Sequence, residues 1–137
     1  MTPKEYLTQY RDAVRRALAA QEHLAELRAM AERITPNYNG SGGVQSGDKL
    51  GSAVARIVDA EARVDAEIEL LIATEREIER TINVVEDSTL RTLLYERYIN
   101  GKTWEQIAVT MDYSYVHIVH RLHPQALRAI ENALSNQ

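Results

Sequence analysis

Apolar residues recur along residues 3–34 at alternating spacings of four and three: Tyr6, Tyr10, Ala13, Ala17, Ala20, Leu24, Leu27, Ala31 and Ile34. This is the heptad pattern of a helix that packs on another helix with near-parallel axes. Thr2 is placed to cap it, with Pro3 at the first helical position and Glu5 three residues after the cap. Pro36 is expected to end it, because the residue before a proline is driven away from helical angles. A second seam, Val54, Ile57, Glu61, Val64, Ile68, Leu71, Glu75, Ile78, Ile82 and Val85, predicts a helix from about Leu50 to Val85. Two glutamates interrupt it. Either they mark the solvated edge of a seam that also uses Val58, Leu70 and Ile72, or they set register by pairing with arginines of a partner helix. Residues 35–52 carry five of the six glycines and are expected to be a flexible connection. They lack the Gly-Lys-Ser/Thr ending of a phosphate loop. The simplest arrangement of residues 1–86 is a long antiparallel helical hairpin. Two helices bury only one face each, so pairing with a second copy through residues 3–85 is expected.

The periodicity then shortens. Residues 88–99 predict a helix with Leu90, Leu93, Leu94 and Tyr98 on one face, capped by Asp87 or Ser88 and ended by Asn100-Gly101. Residues 104–111 predict a second, capped by Thr103 with Gln106 completing a capping box. Its inner positions are Trp104, Ile107, Ala108 and Met111. Asp112-Tyr113 forms the turn, with Tyr113 expected in the core. Ser114 caps a third helix reaching about Leu134, with an inner stripe of Val119, Leu122, Ala126, Leu127, Ile130 and Leu134, joined at the front by Val116 or Ile118. Pro124 inside this helix removes a bond to residue 120 and is expected to kink it. A short helix, a tight turn and a second helix with a polar front end is the form that enters the major groove. The expected fold class is all-α, with residues 1–86 as hairpin and residues 87–137 as a helix-turn-helix domain.

Composition narrows the picture. There is no cysteine, which excludes disulfides and thiolate metal sites. No apolar run is long enough for a membrane span, and no basic start leads into an apolar leader, so a cytoplasmic location is expected. Net charge is −4. Residues 1–86 hold eleven Lys and Arg against fifteen Asp and Glu, whereas residues 87–137 hold five of each. A neutral DNA-binding module gains little from phosphate attraction, so weak binding by a lone monomer is expected. There is no cysteine, no Ser/His/Asp arrangement with interpretable spacing, no phosphate loop and no carboxylate set with catalytic context, so an enzyme is not expected, and neither is a cofactor. His117, His120 and His123 recur every third residue but drift round the helix, and no metal is expected there. Their protonation should instead raise DNA affinity modestly below about pH 6.5.

The stretch LYERYINGKTWEQIAVTMDYS, residues 94–114, resembles region 4 of bacterial sigma factors: a helix, a Gly turn, an S/T-x-x-E-I-A block and a Ser-capped helix. Gln106 stands at the glutamate position, with Glu105 one place earlier. HRLHPQALRAI, residues 120–130, matches the tail of that family's recognition helix. The chain is also similar to short phage- and prophage-encoded proteins of Gram-positive bacteria, including regulators of the ArpU type. That likeness rests on the VDAE stretch at 58–61, the RYI-x-G-x-T-W block and the YS…RLH…AL pattern. It implies a sequence-specific regulator of transcription in a bacterial host, with double-stranded DNA as partner and host RNA polymerase as a further one. Residues 1–86 show no counterpart of the promoter-melting region 2.

By position, Lys102 and Thr103 are candidate backbone contacts, and Ser114, Tyr115, His117, Ile118, His120 and Arg121 form the candidate reading face. Tyr115, His117 and Arg121 are expected to meet bases. For each the plain alternative is a solvated surface group. Two other functions remain open: a DNA-packaging protein like the phage small terminase subunits, and a protein-binding module that never touches DNA.

Overall fold

Thr2 opens the first helix, α1 (Pro3–Tyr38), with the expected capping box: its Oγ1 accepts from the Glu5 N–H at 3.1 Å, and Glu5 Oε2 accepts from the Thr2 N–H at 3.0 Å. The computed structural model describes the backbone of residues 1–38 and 43–137 and the side chains of residues 1–34 and 48–137; among these it holds helices and no strand. α1 runs two residues past Pro36, a correction to the expected end. The proline removes a single bond, to the Glu32 carbonyl, and only the closing turn depends on it.

The second helix, α2 (Gly43–Val84), begins well before Leu50. Residues 43–52 are therefore helical rather than part of a connection. The flexibility expected at 39–42 lies outside the described residues. Propensity alone opposes this extension, since each glycine costs about 1 kcal/mol relative to alanine. Ser52 and Ala53 line a groove together with Leu27, Met30 and Ile34 of α1.

The chain divides into two compact units. In one, Val14–Leu70, Ala20, Leu24 and Leu27 of α1 bury against Ala60 and Val64 of α2, with Ile57 and Ile68 at the edges. Arg16 Nε lies 3.4 Å from Glu67 Oε2, and Arg28 Nη2 lies 3.5 Å from Glu61 Oε2. Glu61 thus sits on an exposed edge and also pairs with an arginine.

The other unit joins Met1–Ala13 to Leu71–Gln137. The expected boundary at residue 86 falls inside it. Tyr6 and Leu7 of α1 and Ile78, Ile82 and Val85 share one core with the C-terminal helices. Tyr6 Oη and Thr81 Oγ1 are 2.8 Å apart, which satisfies two buried hydroxyls at once. Asp87 Oδ1 caps α3 (Ser88–Leu94) by accepting from the N–H groups of Thr89 and Leu90. A π-helical turn (Tyr95–Ile99) prolongs α3, and Gly101, at φ 71°, turns the chain into α4 (Trp104–Met111). Beyond a short turn come α5 (Tyr115–His117), a second π-helical turn (Ile118–Leu122) and α6 (His123–Ser135). Leu93, Leu94, Ile107, Ile118 and Ile130 are fully buried, and each such side chain is worth about 2 kcal/mol in area removed from water.

The second π turn accounts for Pro124. In a regular α-helix its ring would clash with the carbonyl of residue 120. Here the turn ahead of it is wide, and its last bond runs from the His123 N–H to the Ile118 carbonyl five residues back. Pro124 then falls in the first turn of α6, where no amide hydrogen is required of it.

Candidate nucleic-acid interface

The segment from Thr103 to Leu122 is built from local hydrogen bonds. Thr103 Oγ1 accepts from the Gln106 N–H at 3.2 Å, while Gln106 Oε1 accepts from the Thr103 N–H at 2.9 Å, the reciprocal cap that the sequence marks. Asp112 closes α4 in the left-handed conformation, φ 60° and ψ 46°, a position that a short polar side chain tolerates. The Tyr113 N–H returns to the Ala108 carbonyl at 3.0 Å. Ser114 then adopts extended angles, and its Oγ accepts from the His117 N–H at 3.1 Å. Thus α4 stops and α5 starts within three residues, and the two pack together.

None of the three residues of α5 is buried; the core begins at Ile118. Thr103, Ser114, Tyr115, His120 and Arg121 are exposed, and Lys102 and His117 are half-buried. Ile118, expected on the reading face, has 0% of its surface exposed and belongs to the core. It cannot reach a base edge. Tyr113, expected in the core, is 41% exposed and leans on the His117 ring, with centroids 5.1 Å apart. Val116 takes the place on the outer face that Ile118 vacates, at 63% exposure. The signal for this choice lies in the spacing: stepping back by four from Ile130 passes Ala126, Leu122 and Ile118, and misses Val116.

Cations near the segment are largely committed to holding it together. Lys102 is ion-paired with Glu96, and that partner holds the Glu96 carboxyl below its usual range. Arg97 Nη1 donates to the Lys102 carbonyl at 3.0 Å, and its guanidinium lies 4.3 Å over the Trp104 ring. Trp104 in turn meets the His123 ring at 4.5 Å. Burial, with the Lys4 and Arg97 charges adding to it, lowers His123 to about 4. His123 therefore stays neutral at pH 6, and the expected gain in DNA affinity on acidification cannot include it. Arg121 is exposed, but so are Glu105 and Asp112, so the outer surface offers phosphates little net attraction. Among the described residues no group of three or more His, Asp or Glu converges as for a metal ion, and no helix is long and apolar enough to cross a membrane. Compared with protein-family models, with curated proteins and with solved structures, the chain matches none, and its own geometry carries the functional reading.

Proposed function

We propose that the chain is a sequence-specific regulator of transcription that binds double-stranded DNA, with α4, the Asp112–Tyr113 turn and the helix from Tyr115 onward acting as a helix-turn-helix. One observation carries this reading. A capped short helix is closed by a left-handed residue and followed at once by a Ser-capped helix whose first turn has no buried side chain. A first turn that leaves Tyr115 and Val116 exposed is open to insertion into the major groove. The resemblance of residues 94–130 to sigma region 4 supports the transcriptional assignment, and with it contact with host RNA polymerase.

In this reading α1 and α2 form an antiparallel hairpin that pairs two copies. Arg16 meets Glu67 and Arg28 meets Glu61, so sequence order rises on one helix as it falls on the other. Within residues 14–70 a groove of about 650 Å³ runs between them. It is lined by Ala19, Ala20 and Leu27 together with Arg16, Arg56, Arg63 and Asp59. The small side chains that line it, Ala19, Ala20 and Ala60, permit close approach of a second copy.

The experiment is selection of bound genomic fragments by the purified full chain, with molar mass measured on the same sample. A palindromic site enriched by a dimer is the expected result. A packaging site bound by a ring of subunits would replace the regulator with a DNA-packaging protein. No duplex binding, even at about 50 mM salt where phosphate contacts are strongest, would leave only a protein-binding module.

A further inference from the structure

On the first turn of the helix after the Asp112 turn, the two most exposed large side chains are apolar or largely so: Val116 at 63% and Tyr115 at 45%. We infer that Tyr115 and Val116 recognise the 5-methyl groups of thymine in the major groove, so that the target is defined by thymines facing this turn. The inference rests on the DNA-binding reading above.

Three observations point to methyl contact rather than hydrogen-bond readout at these positions. First, residues 114–117 contain no Arg, Lys, Asn or Gln, the side chains that pair bidentately with guanine or adenine. The Ser114 hydroxyl already accepts from the His117 N–H, and His117 is half-buried against Tyr113. Second, attraction to phosphate is weak here. Lys102 is paired with Glu96, Arg97 lies over Trp104, and Glu105 and Asp112 are exposed. Affinity must then draw on non-ionic contact. Third, the thymine 5-methyl is the one apolar group the major groove presents, and apolar side chains are its natural partners. Burying one methyl group from water corresponds to about a fourfold change in affinity.

The test uses the full chain and the duplex it selects. Each thymine in turn is replaced by deoxyuridine, which removes the methyl and keeps the base pair. Separately, a cytosine at a sensitive position is compared with 5-methylcytosine. The expected result is about fourfold weaker binding at one or two positions per half-site for the unmodified protein. Val116→Ala should reduce that sensitivity while the salt dependence of binding stays the same. Val116 is exposed, so the variant should keep its thermal midpoint. Binding that ignores deoxyuridine at every position overturns the inference and leaves the DNA-binding reading intact. So does a Val116→Ala protein, with Tyr115→Ala tested beside it, that keeps the full sensitivity. Absence of binding to any duplex overturns both.

Discussion

Tyr98 Oη and His123 Nε2 lie 2.7 Å apart and join the π turn that follows α3 to the start of α6. The two groups respond to the same burial in opposite directions: Tyr98 is raised to about 12 and His123 is lowered to about 4. Above the unfolded histidine value of about 6.5, His123 is neutral in both folded and unfolded chains and exerts no pH dependence. Between that value and about 4 the unfolded chain binds the proton and the folded one does not, so stability falls as pH falls. Urea midpoints measured between about pH 7 and about pH 4.5 should therefore drop, and drop less for His123→Phe than for the natural chain. Equal slopes for the two proteins would assign the acid sensitivity to other groups.

Gly101→Ala should destabilise. At φ 71° the new Cβ would overlap the Arg11 guanidinium. The guanidinium is the tip of a flexible side chain and can move aside. The left-handed backbone cannot be relieved in that way and costs roughly 1–2 kcal/mol. Urea denaturation in the natural and the Arg11→Ala backgrounds separates the two causes. A loss that persists without the arginine is backbone strain; one that vanishes is the clash.

Gly51→Ala should do the opposite. Gly51 lies inside α2, and nothing lies within 4 Å of a Cβ built there. Alanine in a helix interior gains about 0.5–1 kcal/mol over glycine. A raised urea midpoint supports the helical extension of residues 43–52, and an unchanged one argues that this stretch is not helical in solution.

Glu96→Gln should strengthen DNA binding by releasing the Lys102 ammonium from its ion pair. One freed cation steepens the dependence of log K on log salt by about 0.9, so the gain should be largest at low salt and disappear at high salt. A salt slope identical to the natural protein's would show that Lys102 does not reach a phosphate.

Under the proposed pairing of two copies, Ala19→Trp should yield monomers. Ala19 is exposed and lines the groove between α1 and α2, so the indole can fill the groove without entering the core. Sedimentation of the full chain reads the outcome. A natural protein that is already monomeric, or a variant that still pairs, removes this groove as the interface.

The parts of the fold legible in sequence are those fixed by local chemistry. Thr2 with Glu5, Asp87, Thr103 with Gln106, and Ser114 all cap helices as their spacing indicates. The α1 seam is likewise buried or half-buried at every position from Tyr6 to Ala31. The α2 seam was only half legible. Ile57, Val64, Leu71, Ile78 and Val85 are inward as expected, but in the first half the alternate position is Ala53 and Ala60 rather than Val54 and Glu61. Hydropathy favours Val54, yet it is half exposed, because close approach to α1 selects the small side chain over the apolar one. Tertiary effects of this kind leave little trace in a single sequence.

The candidate site divides in the same way. The frame around Ser114 could be read from turn chemistry, and the choice between Val116 and Ile118 could not be fixed by hydropathy, since both are β-branched and apolar. Helical phase relative to Leu122 and Ala126 decides it, and the widened turn at 118–122 stands between those residues and the first turn. The heptad seam of α2 runs on through residues 71–85, with Glu75 the one polar position in it, and so places them in the hairpin. The structure shows the same surface packing on the C-terminal helices, and a repeat alone does not say which helix it faces.

The wide turn at Ile118–Leu122 also bears on how freely the first turn of its helix can vary in sequence. None of the three residues before it on that helix is buried, whereas Ile118 and Leu122 within it belong to the core. Substitutions at exposed positions away from caps and cores usually shift stability by less than about 0.5 kcal/mol. Tyr115 and Val116 therefore form a cassette open to drift: substitutions can be sampled there at little risk to folding, provided Ser114 keeps the cap and Pro124 keeps its place behind the turn, and under the DNA-binding proposal each would be a change of sequence preference.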